Sequence, residues 1–293
     1  MSAGWTWYVL ILTAASLAAC FWLIVWTNRQ RASDSELAES ESHVWDEDIR
    51  ELNNPLPMWW LWLFILTLVW GIGYFIMYPS FGDIEGYLGW SQEGQYEAEV
   101  AAAEERFGPI FASYGAMPVE ELVNDPKALS IGASLYANYC SQCHGANALG
   151  ATGFPNLTDK VWNWGGSPQQ IEATLINGRI GVMPSLRAVF PSEEAVDEMV
   201  RYVRTMADGM DTTSPAHTTY MQLCVGCHSP TGQGMQVLGA PSLVDDVWLY
   251  GSSEAAVRKS IVEGRNGVMP AHLNMLGQDR IRILAAYVYS LSQ

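Results

Sequence analysis

Cys140-Ser141-Gln142-Cys143-His144 and Cys224-Val225-Gly226-Cys227-His228 are two copies of Cys-x-x-Cys-His. Such a pentapeptide is an attachment site for c-type haem. The two thiols add across the porphyrin vinyl groups, and the adjacent His takes one face of the iron. Downstream of each stands the same tetrapeptide, Gly181-Val182-Met183-Pro184 and Gly267-Val268-Met269-Pro270. A Met thioether is a soft ligand for the opposite face, where it raises the reduction potential and suits electron transfer. One Cys-x-x-Cys-His alone could be half of a zinc site or a thiol–disulfide pair. Neither accounts for a Met set between Gly-Val and Pro in both halves. The candidate haem-binding residues are therefore Cys140, Cys143, His144, Met183, Cys224, Cys227, His228 and Met269, with His144, His228, Met183 and Met269 as iron ligands. The cofactors expected are two covalently bound haem c groups. Four of the 5 cysteines are used in this way, so no structural disulfide is implied.

The repeat extends well beyond these motifs. Pro155–Pro184 and Pro241–Pro270 superpose without a gap, sharing Leu157/Leu243, Asp159/Asp245, Trp162/Trp248, Gly178/Gly264 and Arg179/Arg265 among others. Repetition on this scale reads as two copies of one small domain, here 127–208 and 209–293. Asp208–Pro215 has linker composition. Ser192 is a good N-cap for a helix with Val196, Met199, Val200 and Val203 on its apolar face. Asp279 opens a second helix, with Ile281, Leu284, Tyr287, Val288 and Leu291 on one face. By default each Met serves the haem of its own copy, although exchange between packed domains stays open. Trp162 and Trp248 either cover a haem edge or are ordinary packing. Arg179 and Arg265 either pair with a propionate or are solvated. His217, His272, Met206, Met210, Met235 and Met275 compete as ligands but lack the repeated context.

The first eighty residues differ in kind. Trp5–Trp26 and Leu56–Tyr78 are uncharged runs, each long enough to span a bilayer and rich in Trp and Tyr near its ends. The organisation expected is a first span at 1–28, a loop at 29–55, a second span at 56–79 and a connector at 80–126. Within the connector, Tyr96–Phe107 reads as a short exposed helix. Arg29, Arg31 and Arg50 lie in the loop, and no Lys or Arg stands before the first span or between the second and Arg106. The positive-inside rule puts the loop in the cytoplasm and everything after Tyr78 outside. Covalent haem attachment occurs on that outer side, so both arguments predict periplasmic haem domains on a bacterial inner membrane. Leu17-Ala18-Ala19-Cys20 resembles a lipoprotein cleavage site, but no basic residue precedes it and the apolar run continues, so Cys20 reads as unmodified. The fold class expected is membrane-anchored all-α: two transmembrane helices, then two tandem class I cytochrome c domains. A formal charge of −16, most of it after Tyr78, argues against nucleic acid and either attracts a basic electron carrier or simply confers solubility.

Val44-Trp45-Asp46-Glu47-Asp48-Ile49-Arg50-Glu51-Leu52-Asn53-Asn54-Pro55-Leu56-Pro57 runs directly into the second span. This stretch resembles the N-terminal signature of the dihaem cytochrome c subunit of cbb(3)-type haem–copper oxidases, and the resemblance continues through both haem motifs. It implies an electron-transfer subunit of a terminal oxidase. Its donor would be a soluble or membrane-tethered cytochrome c. Its partners would be membrane lipid, a monohaem cytochrome c subunit and a haem–copper catalytic subunit, which alone reduces oxygen and pumps protons. By composition, the acidic-to-Pro run either docks on a partner's membrane-face loops or is a solvated linker that satisfies topology. The first span departs from many family members, which begin close to the second. The alternative is a dihaem subunit of another membrane dehydrogenase or reductase complex.

Overall fold

The computed structural model describes residues 3–30, 44–45, 49–50, 57–81 and 84–293. These fall into two units, Met1–Glu104 and Glu105–Gln293. In the first, α1 (Ala3–Gln30) and α2 (Met58–Met77) are both long and apolar enough to cross a membrane. Most of their large side chains, from Trp5 and Trp22 to Trp62 and Trp70, stand exposed, with Leu61 buried. That is the surface of a helix whose solvent is lipid rather than a protein core. Between them, β1 (Val44–Trp45) pairs antiparallel with β2 (Ile49–Arg50). Asp46–Asp48 and Glu51–Leu56 of the acidic-to-Pro motif, and most of the 29–55 loop, lie outside the described residues. After α2 the chain turns back, with the Leu88 N–H on the Met77 carbonyl at 2.9 Å. Gly86 makes this possible at φ +72°, where a Cβ would stand 2.5 Å from the Tyr78 carbonyl carbon.

The next helix, α3, runs Gln92–Gly115, longer at both ends than the Tyr96–Phe107 expected. Ser91 Oγ accepts from the Gly94 N–H at 3.0 Å and holds its first turn. Pro109 lies inside the helix on an exposed stretch, where water can take up the carbonyl its missing N–H leaves free. Beyond it, Phe111 and Tyr114 are drawn into the core of the second unit.

That unit continues through α4 (Val119–Leu122), α5 (Pro126–Tyr139), α6 (Ser141–His144), α7 (Pro168–Asn177), β3 (Arg179–Met183), α8 (Glu193–Thr205), α9 (Pro215–Leu223), α10 (Val225–His228), α11 (Glu254–Glu263), β4 (Arg265–Met269), α12 (Leu273–Leu276) and α13 (Gln278–Ser290). Side-chain caps start α5, α7 and α8. Asp125 takes the N–H groups of Lys127 and Ala128 for α5, Ser167 forms a capping box with Gln170 for α7, and Ser192 takes the Ala195 N–H for α8.

Two cores form, and they do not follow the two copies. The first joins Leu122, Ala128 and Tyr136 to Ile171 and Leu175 and to Ile281, Ile283, Leu284 and Val288. The second joins Val196, Met199, Val200 and Val203 to Ala216, Tyr220, Val257 and Ile261. Thus α13, from the second copy, packs on α5 and α7 of the first, while α8, from the first, packs on α9 and α11 of the second. The crossing point is the antiparallel pair β3–β4, with Arg179 opposite Met269, Gly181 opposite Gly267 and Met183 opposite Arg265. The copies are tandem in sequence but exchange their last thirds in space, so 127–208 and 209–293 are not the spatial halves. The first core also takes in Val119 and Leu122, upstream of 127.

The α5–α13 crossing depends on Gly132, where a Cβ would meet Tyr287 Cβ at 2.5 Å and the Ile283 carbonyl at 3.1 Å. A methyl here must push the two packed helices away from each other. Gly132→Ala is expected to destabilise this half by about 1–3 kcal/mol, seen as a lower thermal midpoint in the half that contains Cys140.

Candidate functional site

In each half a helix delivers the first Cys and a single turn delivers the rest. Cys140 ends α5 with its N–H on the Tyr136 carbonyl at 2.9 Å, and Cys224 ends α9 on the Tyr220 carbonyl at 2.8 Å. The Tyr136 hydroxyl donates to the Gly145 carbonyl at 2.7 Å and the Tyr220 hydroxyl to the Ser229 carbonyl at 2.7 Å. Burial pushes both phenols up to about 12, so they stay protonated and tie the end of each pentapeptide to the helix before it.

His144 and His228 are both buried. His144 Nδ1 lies 3.0 Å from the Pro155 carbonyl and His228 Nδ1 lies 3.0 Å from the Pro241 carbonyl. A carbonyl only accepts, so Nδ1 carries the proton and Nε2 keeps its lone pair, the tautomer and orientation a metal-ligating His needs. Burial also lowers the pKa of His228, against the opposing effect of the Pro241 bond, which favours the neutral, ligating form.

The first thiol of each pair lies in surroundings unlike those of a redox dithiol. Burial, with the neighbouring Cys143 or Cys227, pushes Cys140 and Cys224 up to about 11. Reactive redox cysteines need the opposite shift. Among the described residues no three His, Cys, Asp or Glu side chains gather as a metal cluster. Cys143 and Cys227 are exposed and free. Two thiols per half and one oriented imidazole make a donor set that fits a covalently attached c-type haem.

The thioethers arrive from across the exchange. Met269 packs against the core that holds Cys140, and Met183 packs against the core that holds Tyr220 and Val257, as does Cys224. The backbone agrees. After Met269, the His272 N–H donates to the Leu175 carbonyl at 2.9 Å, and after Met183 the Leu186 N–H donates to the Ile261 carbonyl at 3.0 Å. Gly178 and Gly264, at φ +68° and +78°, end α7 and α11, and a Cβ on either would strike the other copy's Met carbonyl at 2.5 and 2.4 Å. Sequence adjacency alone points each Met to its own copy. The β3–β4 crossing sets each Met against the core that the other copy's first Cys joins.

Other expectations resolve unevenly. Trp162 and Trp248 pack on the first and second cores. The Arg179 guanidinium donates to Thr174 Oγ1 at 2.8 Å and lies 5.0 Å above the Trp164 ring. Arg265 donates to Ser260 Oγ at 2.9 Å and lies 4.2 Å above Tyr250. Both arginines thus lock strand to helix rather than stand solvated. Trp164 and Tyr250 occupy equivalent places in the repeat, and each reaches across: Trp164 against Gly239, Tyr250 against Gly153. Their differing identities hid this pair from a comparison based on identical residues. Of the competing ligands, His217 is bonded to the Tyr202 hydroxyl at 2.7 Å, Met206 is buried in the second core and Met210 lies against it, and Met235 and Met275 are exposed. Cys20 lies exposed and free on α1.

Comparison with known proteins adds to this geometry. Residues 38–85 match the family described as the N-terminal domain of cytochrome oxidase-cbb3, FixP. Residues 127–203 and 211–288 each match the family described as cytochrome c oxidase, cbb3-type, subunit III. The chain is 38% identical over 294 residues to the cbb3-type cytochrome c oxidase subunit CcoP of Rubrivivax gelatinosus, covering 100% of this chain and 96% of that one. It is 36% identical over 273 residues to the FixP subunit of Rhizobium meliloti, covering 86% and 94%. With the FixP subunit of Bradyrhizobium sp. strain ORS 278 the identity is 37% over 273 residues, covering 85% and 93%.

Proposed function

We propose a role that proceeds from one premise: this chain belongs to the cbb3-type cytochrome c oxidase subunit III family. It is a membrane-anchored electron-transport subunit, with haem c as its covalent cofactor. Within that role, the chain carries two haems. Cys140, Cys143 and His144 would hold the first, with Met269 as a further donor to its iron. Cys224, Cys227, His228 and Met183 hold the second. A bound haem c supplies a reversible one-electron iron couple. The chain supplies the rest: carbonyls of Pro155 and Pro241 fix the imidazoles, tyrosines fix the attachment loops, and thioethers raise the potential. The chain takes electrons from a soluble or membrane-tethered cytochrome c and delivers them, by way of a monohaem subunit, to the haem–copper subunit that reduces oxygen and pumps protons.

What supports this reading is an arrangement built twice: a carbonyl-oriented histidine beside a cysteine whose core also takes in the methionine of the other copy. Isolation of the native complex in detergent tests it. We expect two haems c per chain by pyridine haemochrome, haem stain on the chain after denaturation, and a haem–copper subunit in equal amount. Co-isolation with a dehydrogenase in place of that subunit would favour the alternative role.

The orientation places the haem domains in the periplasm of a bacterial inner membrane, supported by Arg29, Arg31 and Arg50 in the loop between the spans. A periplasmic reporter fused after Pro79 is expected to be active and one fused at Glu39 inactive. The reverse pattern would overturn the orientation.

A further inference from the structure

His272 Nδ1 is the buried side-chain polar atom that finds no hydrogen-bond partner among the described residues, in a residue only 7% exposed. Its counterpart in the other copy is Leu186, a partly buried side chain of the second core. The backbones of the two residues are held alike, His272 on the Leu175 carbonyl and Leu186 on the Ile261 carbonyl. The two halves therefore differ at this point by one side chain, apolar in one and polar in the other.

Leaving a buried nitrogen unpaired costs about 1–3 kcal/mol, and such a group asks for an acceptor from outside the side chains present. The Met269 thioether, three residues away, does not serve. His272 sits in the loop that closes the half containing Cys140 and His144, and the group those residues suit brings two carboxylates of its own. We propose that His272 donates its Nδ1–H to a propionate of the first haem and so makes the two haem sites electronically unequal. The proposal rests on the two-haem reading given above. A hydrogen bond to the propionate offsets its negative charge, which otherwise favours the ferric state. The first haem is thereby held at a higher potential than its pocket alone would set.

The test uses the intact detergent-purified complex carrying His272→Leu, which copies the sister position, and His272→Asn, whose Nδ2 stands where Nδ1 was. Redox titration with optical detection should show one haem displaced to lower potential in the Leu variant. The electron distribution between the haems should shift several-fold, up to about tenfold, or about 59 mV for one electron. The other haem should stay in place, and Asn should restore most of the shift. The resonance Raman propionate bending mode of one haem should move with Leu and return with Asn. If the Leu variant does not assemble, His272→Gln, which displaces the donor by a methylene, should give the same shift. Unchanged potentials and propionate modes in the Leu variant, or in Gln where Leu does not assemble, would overturn the proposal, as would displacement of the haem on Cys224 and Cys227. The Met269→Leu variant separates the two readings. If Met269→Leu alters the haem on Cys224 and Cys227 while His272→Leu alters the haem on Cys140 and Cys143, the axial assignment fails while the role of His272 stands.

Discussion

A chain stopped after Leu276 is expected to keep its second haem and lose its first. Sequence order suggests the reverse, since α13 closes the second copy. In the folded protein its residues Ile281, Ile283, Leu284 and Val288 are buried to within 4% of full coverage, and they lie in the core built on α5 and α7. Tyr287 stands 5.6 Å from Tyr136. Arg282 bonds Glu172 at 3.1 Å and the Gly115 carbonyl at 2.6 Å. Burial of each large aliphatic side chain contributes about 1.5–3 kcal/mol, so losing four exceeds much of the 5–15 kcal/mol that holds a typical domain together. The second half keeps its own closing helix, α8, packed on α9 and α11 and tied by Arg258 to Glu193 and Asp197. Mass spectrometry of the two Cys-x-x-Cys-His peptides measures this directly. Haem on Cys224 and Cys227 should remain near its full level, and haem on Cys140 and Cys143 should fall to a small fraction. Loss of the second haem with retention of the first would mean that the copies fold as they are written.

The donor residues were readable because chemistry constrains them locally. A thioether linkage needs two thiols at fixed spacing next to a histidine, and the repeat singled out Met183 and Met269. Ser192 was readable as a cap because its hydroxyl satisfies an N–H only a few residues away. The grouping of helices was not readable. α8 and α13 present similar apolar faces to similar partners, so either would fit against α5 or α9 on periodicity alone. What selects the exchanged arrangement is the pairing of β3 with β4, a contact between strands 86 positions apart in the repeat, as Arg179 and Arg265 illustrate. The full length of α3 was hidden for another reason. Gly108-Pro109 reads as a helix end, whereas Phe111 and Tyr114 gain enough by packing on the first core to carry the helix through it. His272 was visible only as a competing ligand. Its importance lies in being buried where its sister is Leu186, and burial is not written in sequence.

Replacing Met269 by Leu is expected to alter the haem attached at Cys140 and Cys143, although Met269 belongs to the copy that carries Cys224 and Cys227. The leucine fills similar space but has no lone pair, so the thioether–iron charge-transfer band of that haem should vanish while its covalent attachment stays. Loss of the thioether should also lower its potential, by roughly a hundredfold in the ferric–ferrous equilibrium at 59 mV per decade. Met275→Leu, at an exposed position nearby, should change neither. Assignment requires one haem at a time. In a Cys224→Ala background the attachment of the second haem is impaired, and the remaining spectrum belongs to the first. There, Met269→Leu should abolish the charge-transfer band and Met183→Leu should leave it. Ligation within each copy requires the opposite pair of results. If the crossed pattern is found, neither copy expressed alone can complete a His–Met pair. Both electron-carrying sites would then depend on the same five-residue strands, and any change that separates β3 from β4 should disturb the two potentials together.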